Sequence, residues 1–199
     1  MMMTGANVFN YISRFVDLTE TERKLLGQQI QIMTCAPKQV LTGIGELEQH
    51  TYFIEKGLVR KYFYQGQDEI TVQLSKEGDI ISSAVSFLSG VPSEFVIETM
   101  EASTLAFITK SGMDTLYESS INFEKMGRLI ILEWMLVKER NDTFRMISSP
   151  RERFIRFVQE NPALLLRVPQ KYLASFLDIK PETFSRFKKQ LAAGGQEKQ

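Results

Sequence analysis

Hydrophobic and polar positions along the 199 residues divide the chain into stretches of different period. Over residues 7–31, Phe15, Leu18, Leu25, Leu26 and Ile30 supply one apolar side at helical spacing. Thr19 and Glu22 have the spacing of a capping box, and Pro37 ends the pattern. From residue 39 to 109 the period shortens: Ile70, Val72 and Leu74 alternate with Thr71 and Gln73, as in a half-buried strand. Gly43, Gly45, Gly57, Gly66, Gly78 and Gly90 punctuate this stretch, and TYFIEKGLVRKYFY is rich in aromatic and β-branched residues. A turn is expected at Glu55-Lys56-Gly57. Short strands with regular turn signals predict an antiparallel barrel or roll.

Residues 111–147 contain no proline and return to a helical period. Phe123, Ile130, Val137 and Phe144 recur every seven residues, flanked by Met126, Leu129, Leu132, Leu136 and Ile147. A helix of about 28 residues is roughly 42 Å long, more than one small roll covers. Phe123, Met126, Ile130, Val137 and Phe144 are therefore the expected dimer interface with a second copy. The competing reading is a core helix lying on the roll, and Glu133 and Arg140 on the inner seam depart from a strict coiled coil. Ser149-Pro150-Arg151-Glu152 starts a fresh helix: serine as cap, proline first, glutamate as reciprocal partner. That helix carries Phe154, Ile155, Phe157 and Val158 and ends at Asn161-Pro162; the short apolar run 163–168 reads as a minimal strand.

The stretch from Gln170 to Lys189, QKYLASFLDIKPETFSRFKK, reads as helix, turn and helix. Leu173, Leu177, Ile179, Phe184 and Phe187 hold the apolar positions, with Ala174 where two helices would press closest. Asp178 occupies the turn, where it tolerates a left-handed backbone, and Pro181 suits the first turn of the next helix. The outward row combines residue types that read base edges with types that grip phosphate, the pattern of a helix-turn-helix entering the major groove. An ordinary helical hairpin with a basic solvated face is the alternative.

Net charge is zero, which by itself suggests no nucleic-acid partner, but its distribution is uneven. Residues 150–190 carry nine Lys/Arg against four Asp/Glu, whereas residues 1–149 carry fourteen against nineteen. A basic C-terminal module on an acidic one fits a DNA-facing regulator. A single cysteine, Cys35, excludes a disulfide framework or cysteine-rich metal site within one chain and reads as a structural thiol. His50, the only histidine, lies in the polar stretch GELEQH and reads as a loop residue; no metal site is expected. With no nucleophile motif, an enzyme is not the expectation. No apolar run approaches membrane-spanning length and the start MMMTGANVFN lacks a signal layout, so a cytoplasmic protein without a membrane partner is expected.

A β-roll, a long helix and a helix-turn-helix in this order resemble the CRP/FNR family of bacterial regulators. The likeness covers nearly the whole chain and is most specific at YFIEKGLVR (52–60), EGDI (77–80) and KPETFSR (180–186). The resemblance implies that Arg186 donates to guanine, Glu182 accepts from cytosine and Ser185 contacts a neighbouring thymine, roles that suit these side chains. Gln170, Lys171, Lys180, Thr183, Lys188 and Lys189 would hold phosphate. It also implies two-fold symmetric double-stranded DNA, a homodimer and RNA polymerase as partners. Cyclic-AMP binders of the family hold the nucleotide with a Gly-Glu pair and an Arg-Ser pair. The matching places here are Ser82-Ser83 and Ser93-Glu94, which mark the effector pocket. Without the arginine, and with Glu94 beside it, a phosphate would lose about 1.5–3 kcal/mol of charge-assisted bonding. Cyclic AMP is thus not the expected ligand; no cofactor is expected, and a small-molecule effector of unknown identity remains open. The cysteines of iron–sulfur relatives are missing, as are histidine pairs for haem. After Leu191 only AAGGQEKQ follows, so the wing that normally succeeds the recognition helix is expected to be reduced or absent.

The expected fold is α+β: an N-terminal antiparallel β-roll (a jelly-roll-like double-stranded β-helix) over 1–118, a dimerisation helix over 119–148, and a helix-turn-helix domain over 149–199. The expected function is a homodimeric, sequence-specific transcriptional regulator whose pocket has lost the cyclic-AMP phosphate-binding residues. The alternative is a small-molecule sensor or interaction module with a non-functional DNA-binding domain.

Overall fold

Strand-forming sequence from Gln31 to Thr109 pairs into two four-stranded antiparallel sheets in the computed structural model, which describes residues 5–194. The strands are β1 (Gln31–Cys35), β2 (Val40–Thr42), β3 (His50–Lys56), β4 (Val59–Gln65), β5 (Asp68–Ser75), β6 (Ile80–Ile81), β7 (Val96–Thr99) and β8 (Ser103–Thr109). One sheet has the order β1-β8-β3-β6 and the other β2-β7-β4-β5. Before them come α1 (Ala6–Ile12) and α2 (Glu20–Gln29); α3 (Ala84–Ser89) interrupts them; α4 (Lys110–Ser119) and α5 (Ile121–Ile147) follow. The expected helix over 7–31 is thus two helices, and 31–35 belongs to the roll as β1. Within the stretch read as strands, 84–89 is helical.

The described chain forms two compact units. One holds the chain up to Phe63 together with Gln73–Met135, the other Tyr64–Val72 together with the chain from Leu136. The boundary falls inside α5, where sequence alone suggested a separate helical segment.

In the first unit, β3 is buried on both faces, which is why its centre reads as a continuous apolar run. Tyr52 and Ile54 meet Cys35, Val59, Ile81, Ile97 and Leu105 between the sheets. Phe53 points the other way, into a cluster with Val8, Ile12, Leu26, Ile108, Leu116, Phe123, Met126 and Ile130. The two motifs YFIEKGLVR and EGDI are stitched together. Gly78 N donates to Ile54 O at 2.9 Å and Ile54 N to Asp79 O at 3.0 Å. Gly57 N donates to Glu77 Oε1 at 2.8 Å. Gly57 itself has φ 105° and would bring a Cβ within 2.8 Å of Ser103 Cα, so only glycine fits. His50 is the first residue of β3, not a loop residue, and its ring lies edge-on to Phe107 at 4.9 Å. Cys35 is a buried free thiol whose pKa is raised by burial.

The expected dimer residues divide. Phe123, Met126 and Ile130 are 0%, 1% and 8% exposed within this single chain, so they belong to the roll's own core and not to an interface. Phe144 is half-buried, its ring 4.3 Å from the Arg156 guanidinium. Only Val137 lies exposed on the helix surface. Glu133 does not disturb a seam: it is ion-paired with Arg14 and accepts from the Tyr11 hydroxyl, tying α5 to the end of α1.

In the second unit, α6 (Pro150–Glu160) follows the end of α5, and its Ser149–Glu152 capping box forms as expected. Residues 164–167 are a short helix, α7, where a strand was expected. Apolar 163–168 is too short for its period to separate the two states, and the turn it makes buries Leu164 and Val168. In β5, Thr71 and Ser75 are buried while Ile70, Val72 and Leu74 are only half-covered. At Thr71 the chain meets Ser175, whose hydroxyl accepts from Thr71 N at 2.9 Å and donates to Glu69 O at 3.0 Å.

Thr19 caps α2, and Glu22 completes the box while also accepting from Ser120 Oγ and Asn122 Nδ2 at the start of α5. These bonds, the Ser120 hydroxyl first and the Thr19 amide next, pull the Glu22 carboxyl from 4.5 to about 2. A folded pKa below the unfolded one means the stabilisation is complete above pH 4.5 and gone once pH falls through about 2. Glu22→Gln should lower the melting temperature by a few degrees at neutral pH. Thermal melts across pH should show that difference shrinking below pH 4.5 and closing near pH 2.

Candidate nucleic-acid interface

Two helices build the candidate interface: α8 (Gln170–Phe176) and α9 (Pro181–Gly194). Between them Asp178 adopts the left-handed backbone (φ 52°) that its place in the sequence called for. Ile179 N donates to Ala174 O and Asp178 N to Ser175 O, both at 3.0 Å, which is the Schellman pattern that closes a helix. Ala174 and Leu173 are fully buried, as is Phe184, whose ring packs edge-on against Phe154 at 5.3 Å. This core holds α9 with Phe184 inward.

The opposite face of α9 follows from helix periodicity. Glu182, Ser185, Arg186 and Lys189 stand at i, i+3, i+4 and i+7 and share one open groove with Pro181 and Gln190. Glu182, Arg186 and Lys189 are exposed; Thr183 and Lys188 are half-covered on the flanks. The three expected base readers are thus brought together, with Lys189 joining their face. Gln170, Lys171 and Lys180 are exposed at the starts and turn of the motif, and the Lys171 ammonium lies 4.5 Å from the Tyr172 ring. The expectation of a reduced wing concerns the chain beyond Leu191: α9 continues to Gly194, and 195–199 lie outside the described residues.

One residue missed by sequence reasoning organises this motif. Arg153, on α6, donates through Nε to Leu177 O at 2.8 Å and through Nη2 to Asp178 O at 2.7 Å. Its Nη1 reaches Ser148 O at 2.8 Å and Arg145 O at 3.2 Å. All four carbonyls stand where helices end and lack an intrahelical donor. Arg153 therefore ties the turn before α9 to the end of α5. The sequence signal was one arginine on an otherwise amphipathic helix, which does not distinguish it from solvated neighbours such as Arg151.

In the roll, Ser82, Ser83 and Ser93 are brought together and buried, with Ser93 Oγ 2.8 Å from Ser83 Oγ. Glu94, expected beside them, is exposed instead. Arg60, from the motif 52–60, is an unexpected buried cation: it meets Glu98 at 3.3 Å and stacks 3.9 Å from the Tyr62 ring centre. Among the described residues no cluster of metal-ligating side chains occurs and no helix is long and apolar enough to cross a membrane.

A two-sheet roll followed by a long helix and a helix-turn-helix is the fold of CRP/FNR regulators, and this chain has it. It is similar to FixK2 of Bradyrhizobium japonicum, with a TM-score of 0.72 at 16% identity over 83% of this chain and 86% of that one. The c-di-GMP-responsive global regulator CLP of Xanthomonas campestris aligns at TM-score 0.68 and 15% identity, over 89% and 93%. A structure from Eubacterium rectale described as a regulator of the crp/fnr family aligns at 0.66 and 15%, over 94% and 89%. At this identity the likeness establishes the fold. No protein-family model and no curated protein sequence matches the chain.

Arg153→Ala should destabilise the protein by about 2–4 kcal/mol, because charged hydrogen bonds to carbonyls are lost together. Arg153→Lys, with a single nitrogen, should recover only part of this. Chemical denaturation of the three proteins measures both.

Proposed function

We propose that the protein is a homodimeric, sequence-specific DNA-binding transcriptional regulator of the CRP/FNR type. The observation that carries this reading is the shared face of Glu182, Ser185, Arg186 and Lys189 on α9, opposite the buried Phe184. On such a face Arg186 donates in bidentate fashion to guanine while Glu182 accepts from the cytosine amine. Ser185 contacts the adjoining base. Gln170, Lys171, Lys180, Thr183, Lys188 and Lys189 fix the register through phosphate. The fold neighbours support the reading, since CLP is described as a regulator of gene expression. RNA polymerase is the natural further partner for such a regulator, and catalysis has no part in it.

Dimerisation runs through a revised surface. Ile131, Leu132, Met135, Leu136 and Val137 on α5 are 41–57% exposed, a concentration of apolar side chains that a second copy of the helix would cover. Two copies then present two α9 helices to half-sites about one helical turn apart.

Arg186→Ala should weaken binding to the selected site by about 1–3 kcal/mol while leaving random DNA nearly unchanged. Lys188→Ala should weaken all sequences alike and reduce the salt slope by about one. Site selection, expected to return a two-fold repeat of TTGA-like half-sites, followed by salt titrations on both variants, reads these outcomes. Equal losses on specific and random DNA for Arg186→Ala would leave α9 as a basic face only. For the dimer, Leu136→Glu should give a folded monomer in sedimentation, whereas Phe123→Glu should unfold the roll, because Phe123 is core.

A further inference from the structure

The loop between β2 and β3 is pinned to the segment after α3. Gly45 N donates to Ser93 O at 2.8 Å and Ser93 N to Glu46 O at 2.7 Å. This aims Glu48 inward, where it is only 2% exposed. Its Oε2 accepts from Thr42 Oγ1 at 2.8 Å and from Ser83 N at 3.2 Å, and its Oε1 accepts from His50 N at 3.1 Å. Glu48 N in turn donates to Ser86 Oγ at 2.9 Å, and Ser82 Oγ donates to His50 O at 3.1 Å. Three donors from three separate segments thus converge on one buried carboxylate. Thr42 Oγ1, Ser83 N and His50 N are all donors, the set that an acceptor-only group requires.

We propose that Glu48 is an internal ligand of the roll: its carboxylate fills an oxyanion position formed by Ser83 N, His50 N and Thr42 Oγ1, and so holds the turn of Ser82–Ser86 in place without an external anion. The residues expected to form an effector pocket, Ser82, Ser83 and Ser93, are engaged in this same network. An anionic effector would have to displace a covalently attached competitor whose binding costs no translational entropy. Removing the Glu48 side chain beyond Cβ would leave a vacancy the size of a small carboxylate, with its donors still in place. The ligand class of the vacated site is therefore a small monocarboxylate. This inference rests on the roll alone and stands or falls separately from DNA reading by α9.

The test uses the full chain and compares native protein, Glu48→Ala and Glu48→Gln by thermal melting in sub-molar sodium formate, sodium acetate or sodium chloride of equal ionic strength. Glu48→Ala should melt roughly 5–10 °C below native in chloride, since buried donors lose their acceptor. Formate or acetate should restore a third or more of that loss. Glu48→Gln, which fills the space but places an amide –NH2 donor against a donor, should be destabilised and not restored. Native protein should respond to formate and acetate no more than to chloride, and cyclic AMP should not raise its melting temperature. The proposal is overturned if carboxylate and chloride act alike on Glu48→Ala, if native protein responds equally to formate, or if cyclic AMP stabilises native protein. Should Glu48→Ala fail to fold in any of the salts, amide exchange in Glu48→Gln decides. Ser83 and His50 should then lose at least about tenfold in protection, and unchanged protection overturns the proposal. Failure of site selection on DNA would leave each of these outcomes untouched.

Discussion

Phe123, Met126 and Ile130 are withdrawn from water against α1, α2, α4 and the outer face of β3, and this burial sets the rotation of α5 about its own axis. Each such side chain contributes about 1.5–3 kcal/mol when fully buried, so the helix does not turn to offer them elsewhere. Gly127 sits in the same stretch, and any side chain there would overlap the Tyr117 ring. The pairing of Glu133 with Arg14 closes the contact on one side. Because the first turns are committed, Ile131, Leu132, Met135, Leu136 and Val137 are left facing solvent, while Trp134 still packs against the core. The same heptad thus changes role along its length: core first, exposed apolar surface afterwards.

The helix-turn-helix depends on a comparable division of labour. Phe184 and Ala174 are buried to hold α8 and α9 together, and the left-handed Asp178 sets the angle between them. Arg153 then supplies donors to carbonyls at the ends of two helices, joining the turn to the end of α5. A base-reading side chain is useful only when its helix is rigidly seated, since a displaced guanidinium loses its bidentate geometry. Arg153 and Phe184 together seat α9, and with it the exposed Arg186.

The roll carries a polar interior unusual for a protein core. Serines 82, 83, 86 and 93, Thr42, Glu48 and Arg60 are buried there. Groups of this kind are tolerated only with partners. The network through Glu48 supplies them to the serines and threonine, and Glu98 and Tyr62 meet Arg60. An interior built to receive a polar ligand and one built to satisfy itself have the same composition; what separates them is which donors are already engaged.

Local signals were legible in the sequence. The Thr19–Glu22 and Ser149–Glu152 capping boxes, the turn at Gly57, the break at Ser148–Pro150 and the left-handed Asp178 all form as their residues require, because each is decided within a few positions of the chain. The i, i+3, i+4, i+7 spacing of Glu182, Ser185, Arg186 and Lys189 placed them on one face once a helix was granted. Tertiary structure alone decided which faces are covered. Heptad spacing marks Phe123 and Val137 identically, yet one is core and the other exposed, because the roll ends between them. Alternation in β5 marked Ile70 and Val72 for burial, but Ser175, over a hundred residues away, covers Thr71. Glu94 was expected at the effector pocket and Glu48 carried no assignment; the pairing of residues 45–46 with Ser93 accompanies an inward Glu48, while Glu94 is exposed. Periodicity fixes the conformation of a segment, whereas burial depends on partners distant in the chain, which a local pattern does not encode.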